Sequence, residues 1–294
     1  MIPLPDARAA VEALRTALRD GLDPEADWAR SSVPMSHGEL LLMPAEWGRY
    51  AGMKVVSVAP GNPARGVPRI QGTYLLLDAE TLGPLAVLDG AELTTLRTAA
   101  VSALAVDALA AADASRLVVF GTGPQARSHI AAIRAVRPVD EVTVVGRTPE
   151  RTLAFVSTVD GSRAGVASDV ARADVVVCAT TAREPLFDGG LLPSRSTVVA
   201  VGSHEHSASE VDFATVCGST VVVEARSAAL REAGDIVQPV AAGVFDPSTL
   251  VELASLVRGS VSVDPDRPRL FKSVGMGWED LVIAASGWER RSWT

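Results

Sequence analysis

From Arg116 onward the chain alternates short Val-rich runs with more polar intervals, and the first run ends in glycine: Val118-Val119-Phe120-Gly121-Thr122-Gly123-Pro124-Gln125-Ala126. No other stretch narrows the available folds so far. Gly121 permits a tight turn, Gly123 lets the backbone approach a pyrophosphate, and Ala126, standing for a third glycine, keeps the next helix close to the sheet. That helix, to about Val136, points its amides and the positive end of its dipole at phosphate oxygens. Alone, a Gly-x-Gly-x-x-Ala string is a weak signal. Here it follows a strand, precedes a helix, and is succeeded on schedule by another strand. The alternative is an ordinary tight strand–helix turn.

Further apolar runs at residues 142–145, 164–167, 175–179, 198–201 and 221–223 have mostly helical intervals between them. Continuous Val-rich runs fit parallel strands buried on both faces, and alternating β and α units imply a doubly wound (Rossmann) sheet. Before Asp113 the rhythm differs. A helical pattern (Val11, Leu14, Leu18 after a capping Asp6) leads into short apolar runs at 39–43, 53–58, 73–77 and 85–88, separated by turns such as Pro60-Gly61-Asn62-Pro63. These suggest an antiparallel or mixed sheet. An Ala-rich helix follows from Glu92 to about Ala112; after Pro268 come a last short run and an amphipathic stretch from Trp278 to about Arg290.

The 294 residues suffice for two domains; 48% are apolar and 21% charged, enough for a substantial core. The net charge of −8 argues against nucleic acid or an anionic membrane as partner. Two cysteines, Cys178 and Cys217, make no disulfide framework and fit a reducing cytoplasm, with Cys178 reading as a small core residue. No apolar stretch approaches the ~18 residues of a membrane span. The N-terminus has neither a basic start nor an apolar signal core, and no His/Cys/carboxylate cluster has metal-ligand spacing. A cytoplasmic protein without a metal is expected.

The second strand of the parallel series carries the choice of cofactor. An NAD enzyme usually ends it in Asp or Glu, which accepts from the ribose hydroxyls. This chain reads Val145-Gly146-Arg147-Thr148. An arginine fork can hold a 2′-phosphate that a carboxylate would repel, so NADPH is expected in preference to NADH. The other reading of Arg147 is a solvated loop residue.

Among 27 basic residues only Lys54 and Lys272 are lysines, a bias that GC-rich codon usage explains without saying where the two stand. Lys54 interrupts an apolar strand, Arg97 lies in the Ala-rich helix, and Arg30 precedes the first strands. A cation among close-packing residues must be paired or face a cavity. Converging cations would clamp a carboxylate; alternatively each snorkels or pairs with Glu39, Asp78 or Asp89.

Met43-Pro44, Lys54, Pro60-Gly61-Asn62-Pro63, Gly66-Val67-Pro68, Gln71-Gly72, Pro84-Leu85-Ala86, Leu88-Asp89-Gly90, Leu93-Thr94, Arg97-Thr98-Ala99-Ala100, Ser102-Ala103-Leu104-Ala105 and Phe271-Lys272-Ser273-Val274-Gly275 occur in order. Together they resemble the ornithine cyclodeaminase/mu-crystallin family over almost the whole chain. The resemblance implies a Rossmann domain (113–267) inserted into a discontinuous α+β domain (1–112 with 268–294) for substrate binding and dimerisation, in a homodimer. It implies hydride transfer at the Cα of an amino or imino acid. By resemblance, Arg30 grips the substrate carboxylate, Lys54 is the active-site lysine, and Arg97 stands at the substrate–nicotinamide junction with Thr98 near the cofactor phosphates. Thr180, Ser273 and Val274 line the nicotinamide pocket, and Gly146-Arg147-Thr148 is similar to the NADPH turn of mu-crystallin.

One departure bears on chemistry. After the fifth strand, cyclodeaminases carry Gly-Ala-Asp and then a lysine four residues beyond the Asp. This chain has Gly202-Ser203-His204-Glu205-His206-Ser207-Ala208, with His204 in place of the Asp and Ala208 in place of the lysine. Cyclodeamination is therefore not expected, while a histidine there either delivers a proton to an imine nitrogen or merely caps the turn. The expectation is an NADPH-dependent reductase of an α-imino acid such as pyrroline-2-carboxylate, with Lys54 or His204 as proton donor. An alanine dehydrogenase-like enzyme and a mu-crystallin-like, NADPH-loaded binding protein are the rivals.

Overall fold

The computed structural model describes residues 2–290; Met1 and residues 291–294, which fall in the expected first domain, lie outside the described residues. Residues 2–98 with 276–290 form one compact unit, and Ala99–Gly275 form the second.

The first unit opens with α1 (Ala7–Arg19), capped by the Asp6 carboxylate accepting the Ala9 N–H at 2.8 Å. Its Ala10, Val11, Leu14 and Leu18 recur at helical spacing and are buried. Five antiparallel strands follow in sequence order: β1 (Ser31–Met35), β2 (Gly38–Trp47), β3 (Tyr50–Val58), β4 (Ile70–Asp78) and β5 (Pro84–Asp89). β1 escapes sequence reading because it is short, exposed and carries Pro34, which only an edge strand tolerates. Helix α2 (Gly90–Leu109) starts where Asp89 accepts from the amides of Ala91 and Glu92.

The second unit contains β6 (Arg116–Phe120), α3 (Pro124–Arg134), β7 (Glu141–Val145), α4 (Pro149–Val156), β8 (Ser162–Ala164), β9 (Val175–Cys178), β10 (Thr197–Ala200), α5 (Phe213–Gly218), β11 (Thr220–Val223), α6 (Arg226–Glu232), α7 (Gly234–Ala241), β12 (Val251–Glu252), α8 (Leu253–Val257) and β13 (Arg269–Lys272). The eight strands form a parallel sheet in the order β12-β11-β13-β10-β9-β6-β7-β8. The Rossmann architecture read from the Val-rich runs is thus present. β9 and β10 are buried at every position, Cys178 included. The order reverses between β6 and β9, which creates the crevice where open α/β sheets take their ligands.

Three details differ from the sequence expectation. The strand expected at 164–167 is β8, which ends at Ala164 because Asp169 accepts the Val166 N–H and starts a turn. The expected boundary at 112/113 lies instead between Thr98 and Ala99, inside α2: the later part of that helix belongs to the second unit, where Ser102 meets His129 of α3. The boundary expected at 267/268 lies after Gly275, because β13 is an interior strand between β10 and β11. The chain then returns to the first unit as α9 (Gly277–Arg290).

Candidate active site

In the first unit the polar centre is built on β3. Burial alternates along this strand, so that Gly52, Lys54, Val56 and Val58 face inward and Val55 faces out. The inward register places the ammonium of Lys54, 1% exposed, where a hydrophobic side chain would be ordinary. Lys54 stands opposite Met43 of β2 and Tyr74 of β4.

Helix α9 closes over this face, its first turn passing close to β2. A Cβ on Gly277 would lie 2.6 Å from the Pro44 carbonyl oxygen, so only glycine lets the helix approach so far. The approach delivers two adjacent, fully buried carboxylates, Glu279 and Asp280. The Asp280 Oδ2 lies 2.6 Å from Lys54 Nζ. Arg97 Nη1 donates to Glu279 Oε2 at 2.7 Å, and its Nε is 3.6 Å from Asp280 Oδ1. Lys54 and Arg97 thus share one carboxylate pair. None of the partners weighed from sequence (Glu39, Asp78, Asp89) supplies these bridges.

The electrostatics follow from burial. Desolvation pulls the Lys54 ammonium down from its ordinary 10.5 to about 8, Arg97 adds to the fall, and Asp280 opposes it. Apart from Asp280, Nζ meets no acceptor among the described residues, which leaves N–H donors for a ligand. Asp27, which accepts the Trp278 N–H at 3.1 Å, is pushed up to about 6, chiefly by burial. The buried Tyr74 hydroxyl has no hydrogen-bond partner among the described residues, and burial raises it well above its usual range. Asp27, Tyr74, Glu279 and Asp280 all escaped sequence reasoning. The signal available was two adjacent carboxylates opening an otherwise apolar helix. Arg30 sits half-buried just before β1, and the Thr98 hydroxyl donates back to the Thr94 carbonyl of its own helix.

In the second unit the phosphate loop has the form its sequence requires. Gly121 has φ +116°, and a Cβ there would lie 2.4 Å from the Ala179 carbonyl oxygen, so it is confined to glycine twice over. Gly123 is the N-cap of α3 and has no side-chain capping bond; a Cβ on it would meet nothing within 4 Å. There is thus room beside the start of α3 at Gly123, with Pro124 at the first turn and Thr122, Gln125 and Ala126 next to it. That cradle fits a pyrophosphate. Gly146 packs on the same loop, since a Cβ on it would reach Thr122 Cγ2 at 2.9 Å. Arg147 follows, exposed, and Thr148 begins α4.

Thr180 stands beside the loop at the carboxyl end of β9, its amide and hydroxyl both donating to Glu210. Ser273 and Val274 are held by a second buried carboxylate: Glu224 accepts from the Ser273 hydroxyl at 2.6 Å and from the Val274 and Gly275 amides. His204 lies exposed in the turn after β10, whereas Ala208 is buried. Lys272, the other lysine, is fully buried; it pairs with Asp235 at 3.0 Å and donates to the Ser203 carbonyl. Among the described residues no group of His, Cys, Asp or Glu could hold a metal, and no helix is long and apolar enough to cross a membrane.

Comparison with known proteins agrees with these features. The model of the Ornithine cyclodeaminase/mu-crystallin family matches residues 8–292. The chain is 35% identical over 276 residues to Delta(1)-pyrroline-2-carboxylate reductase of Bacillus cereus, covering 89% of this chain and 85% of the relative. It is 35% identical over 264 residues to Delta(1)-pyrroline-2-carboxylate/Delta(1)-piperideine-2-carboxylate reductase of Azospirillum brasilense, covering 86% and 81%. Among solved structures, Delta(1)-pyrroline-2-carboxylate reductase of Thermococcus litoralis in complex with NADH and L-proline superposes with a TM-score of 0.92 at 30% identity, covering 97% of this chain and 93% of that one. An archaeal alanine dehydrogenase dimer with bound NAD gives 0.91 at 26%, covering 97% and 92%.

Proposed function

The chain belongs to the ornithine cyclodeaminase/mu-crystallin family, and we propose that it is an NADPH-dependent reductase of α-imino acids, cyclic ones such as pyrroline-2-carboxylate included. The observation that carries this reading is the buried Lys54–Asp280 and Arg97–Glu279 cluster, two ion pairs whose lysine keeps donors for a ligand. The names of the pyrroline-2-carboxylate reductases, and the proline complex of one of them, support an imino-acid substrate. Arg147, in place of an acidic residue after β7, supports NADPH.

Arg30 and Arg97 hold the substrate carboxylate, and a bound reduced nicotinamide supplies the hydride to the imine carbon. Lys54 gives a proton to the imine nitrogen, so that C=N becomes a C–N single bond. With its ammonium near 8, Lys54 is mostly charged at neutral pH yet gives up a proton readily. Asp280 keeps it in place and charged. His204, exposed, is the weaker candidate donor. The protein acts in the cytoplasm as a homodimer; in support, the outward face of the antiparallel sheet presents Val33, Val55 and Val87, each more than a third exposed.

Lys54→Ala should abolish NADPH consumption with pyrroline-2-carboxylate and spare NADPH binding; a fully active variant would overturn the assignment. The alanine dehydrogenase-like reading is separated by offering a keto acid with ammonia against the preformed imine. Tight NADPH binding without turnover of any imine would favour the binding-protein reading.

A further inference from the structure

Where the strand order of the parallel sheet reverses, the turns after β6, β9 and β10 lie together at the carboxyl edge, and one buried side chain joins two of them. Glu210, 0% exposed, comes from the segment ahead of α5. Its Oε1 accepts from the Thr180 amide at 2.9 Å and the Thr180 hydroxyl at 2.6 Å. Its Oε2 accepts from the Gly202 amide at 2.6 Å. The Thr180 hydroxyl, having donated its hydrogen, accepts the Ala182 amide at 3.0 Å, so the whole turn after β9 hangs on this carboxylate. A Cβ added to Gly202 would lie 2.2 Å from the Thr180 carbonyl oxygen and 2.5 Å from Glu210 Oε1, which shows how tightly the two turns close around it.

Glu210 is itself fixed from behind. Asp235 of α7 accepts the backbone amides of Glu210 and Val211, at 2.6 and 3.1 Å. The other oxygen of Asp235 pairs with Lys272 of β13, whose ammonium also holds the Ser203 carbonyl next to Gly202. The charged and titratable groups facing Glu210 are therefore Lys272, Asp235 and the buried Cys178 thiol of β9.

We propose that Glu210 is a positioning residue for the nicotinamide side of this site: by accepting from Thr180 and Gly202 at once, its ionised carboxylate holds the turns after β9 and β10 in the arrangement that takes the cofactor's nicotinamide half. The proposal rests on the nicotinamide-cofactor reading above. Its core is a matter of hydrogen count. Each oxygen meets one backbone amide, that of Thr180 on Oε1 and that of Gly202 on Oε2, which can only donate, so a hydrogen placed on either oxygen competes with an amide hydrogen. Only the carboxylate satisfies both turns; a carboxylic acid or an amide must release one. Burial pushes this carboxyl up to about 7, with Lys272 opposing the rise, which brings the two forms within reach of ordinary buffers.

The test compares two ligands by equilibrium titration: NADPH, and 2′-AMP, which carries the 2′-phosphorylated adenosine alone and no 5′-phosphate monoester. Glu210→Gln is expected to weaken NADPH roughly tenfold, the worth of one or two lost charge-assisted hydrogen bonds, while 2′-AMP stays within about twofold. In the wild-type protein the ratio of the two affinities should fall severalfold from pH 8 to pH 6, and Glu210→Gln should flatten that profile. The 2′-phosphate, common to both ligands, cancels in the ratio. Equal weakening of both ligands would reveal a merely structural residue and overturn the proposal. So would a variant with wild-type affinities, or a wild-type ratio independent of pH, and this last arm needs no variant to fold. Because no arm reads turnover, a wild-type protein that binds NADPH but reduces no imine overturns the substrate reading alone.

Discussion

Asp280→Asn removes the charge that faces Lys54 and leaves the shape of the site intact. The two side chains are 1% and 0% exposed and 2.6 Å apart, so solvent cannot replace the lost partner. If Lys54 stayed charged, an uncompensated buried cation would cost about 3–5 kcal/mol. Deprotonation is the cheaper response. Lys54 stands at about 8 with Asp280 holding it up, and without Asp280 it should fall to about 6, a range documented for buried lysines. Stripping a proton at pH 7 from a group of pKa about 8 costs about 1.4 kcal/mol, so stability should drop by roughly 1–2 kcal/mol. The protonated fraction at pH 7 falls meanwhile from about nine-tenths to about one-tenth, and kcat/KM with it by about tenfold.

As the proposed proton donor, Lys54 has to be protonated, so activity should be lost as pH rises through its pKa. The alkaline limb of the kcat/KM profile should lie near 8 in the wild type and about two units lower in the variant. The assay is NADPH consumption with pyrroline-2-carboxylate from pH 5.5 to 9, with urea unfolding alongside; substrate titration is common to both proteins and cancels. A variant with the wild-type alkaline limb, whatever its overall rate, would refute Lys54 as the proton donor and Asp280 as its regulator.

Arg147→Asp should raise the KM for NADPH by tenfold or more and lower that for NADH, the signature of a lost 2′-phosphate contact; steady-state kinetics with both cofactors decide it. Lys272→Met strands Asp235 beside the Glu210 segment and should destabilise the protein by about 3–5 kcal/mol, whereas adding Asp235→Asn should recover part of the loss, measured by urea unfolding. His204→Gln should leave the alkaline limb near 8 unmoved; its disappearance would return the proton-donor role to His204.

Lys54 and the glycine loop were legible in the sequence because each is a local pattern: a lone lysine in an apolar alternating strand, and a strand–Gly-x-Gly–helix junction whose conformation depends on a few neighbours. The parallel sheet was legible for the same reason, as Val-rich runs of strand length. What gives Lys54 and Arg97 their chemistry was not. Glu279, 182 residues from Arg97, and Asp280 reach them only because α9 returns to the first unit and Gly277 lets it settle against β2. The same holds for Lys272. In the sequence it is only one of two lysines, next to Ser273 of a family-like run, and only the fold of α7 against β13 supplies Asp235 and makes it a buried ion pair. The placement of β13 between β10 and β11, and the carriage of Glu210 to two strand ends, likewise follow from long-range pairing that leaves no periodicity behind. Propensity and turn chemistry act over a few residues and are written in order along the chain. The desolvation and charge partners that set a pKa come from whatever the completed fold packs alongside, and only the tertiary structure decided those.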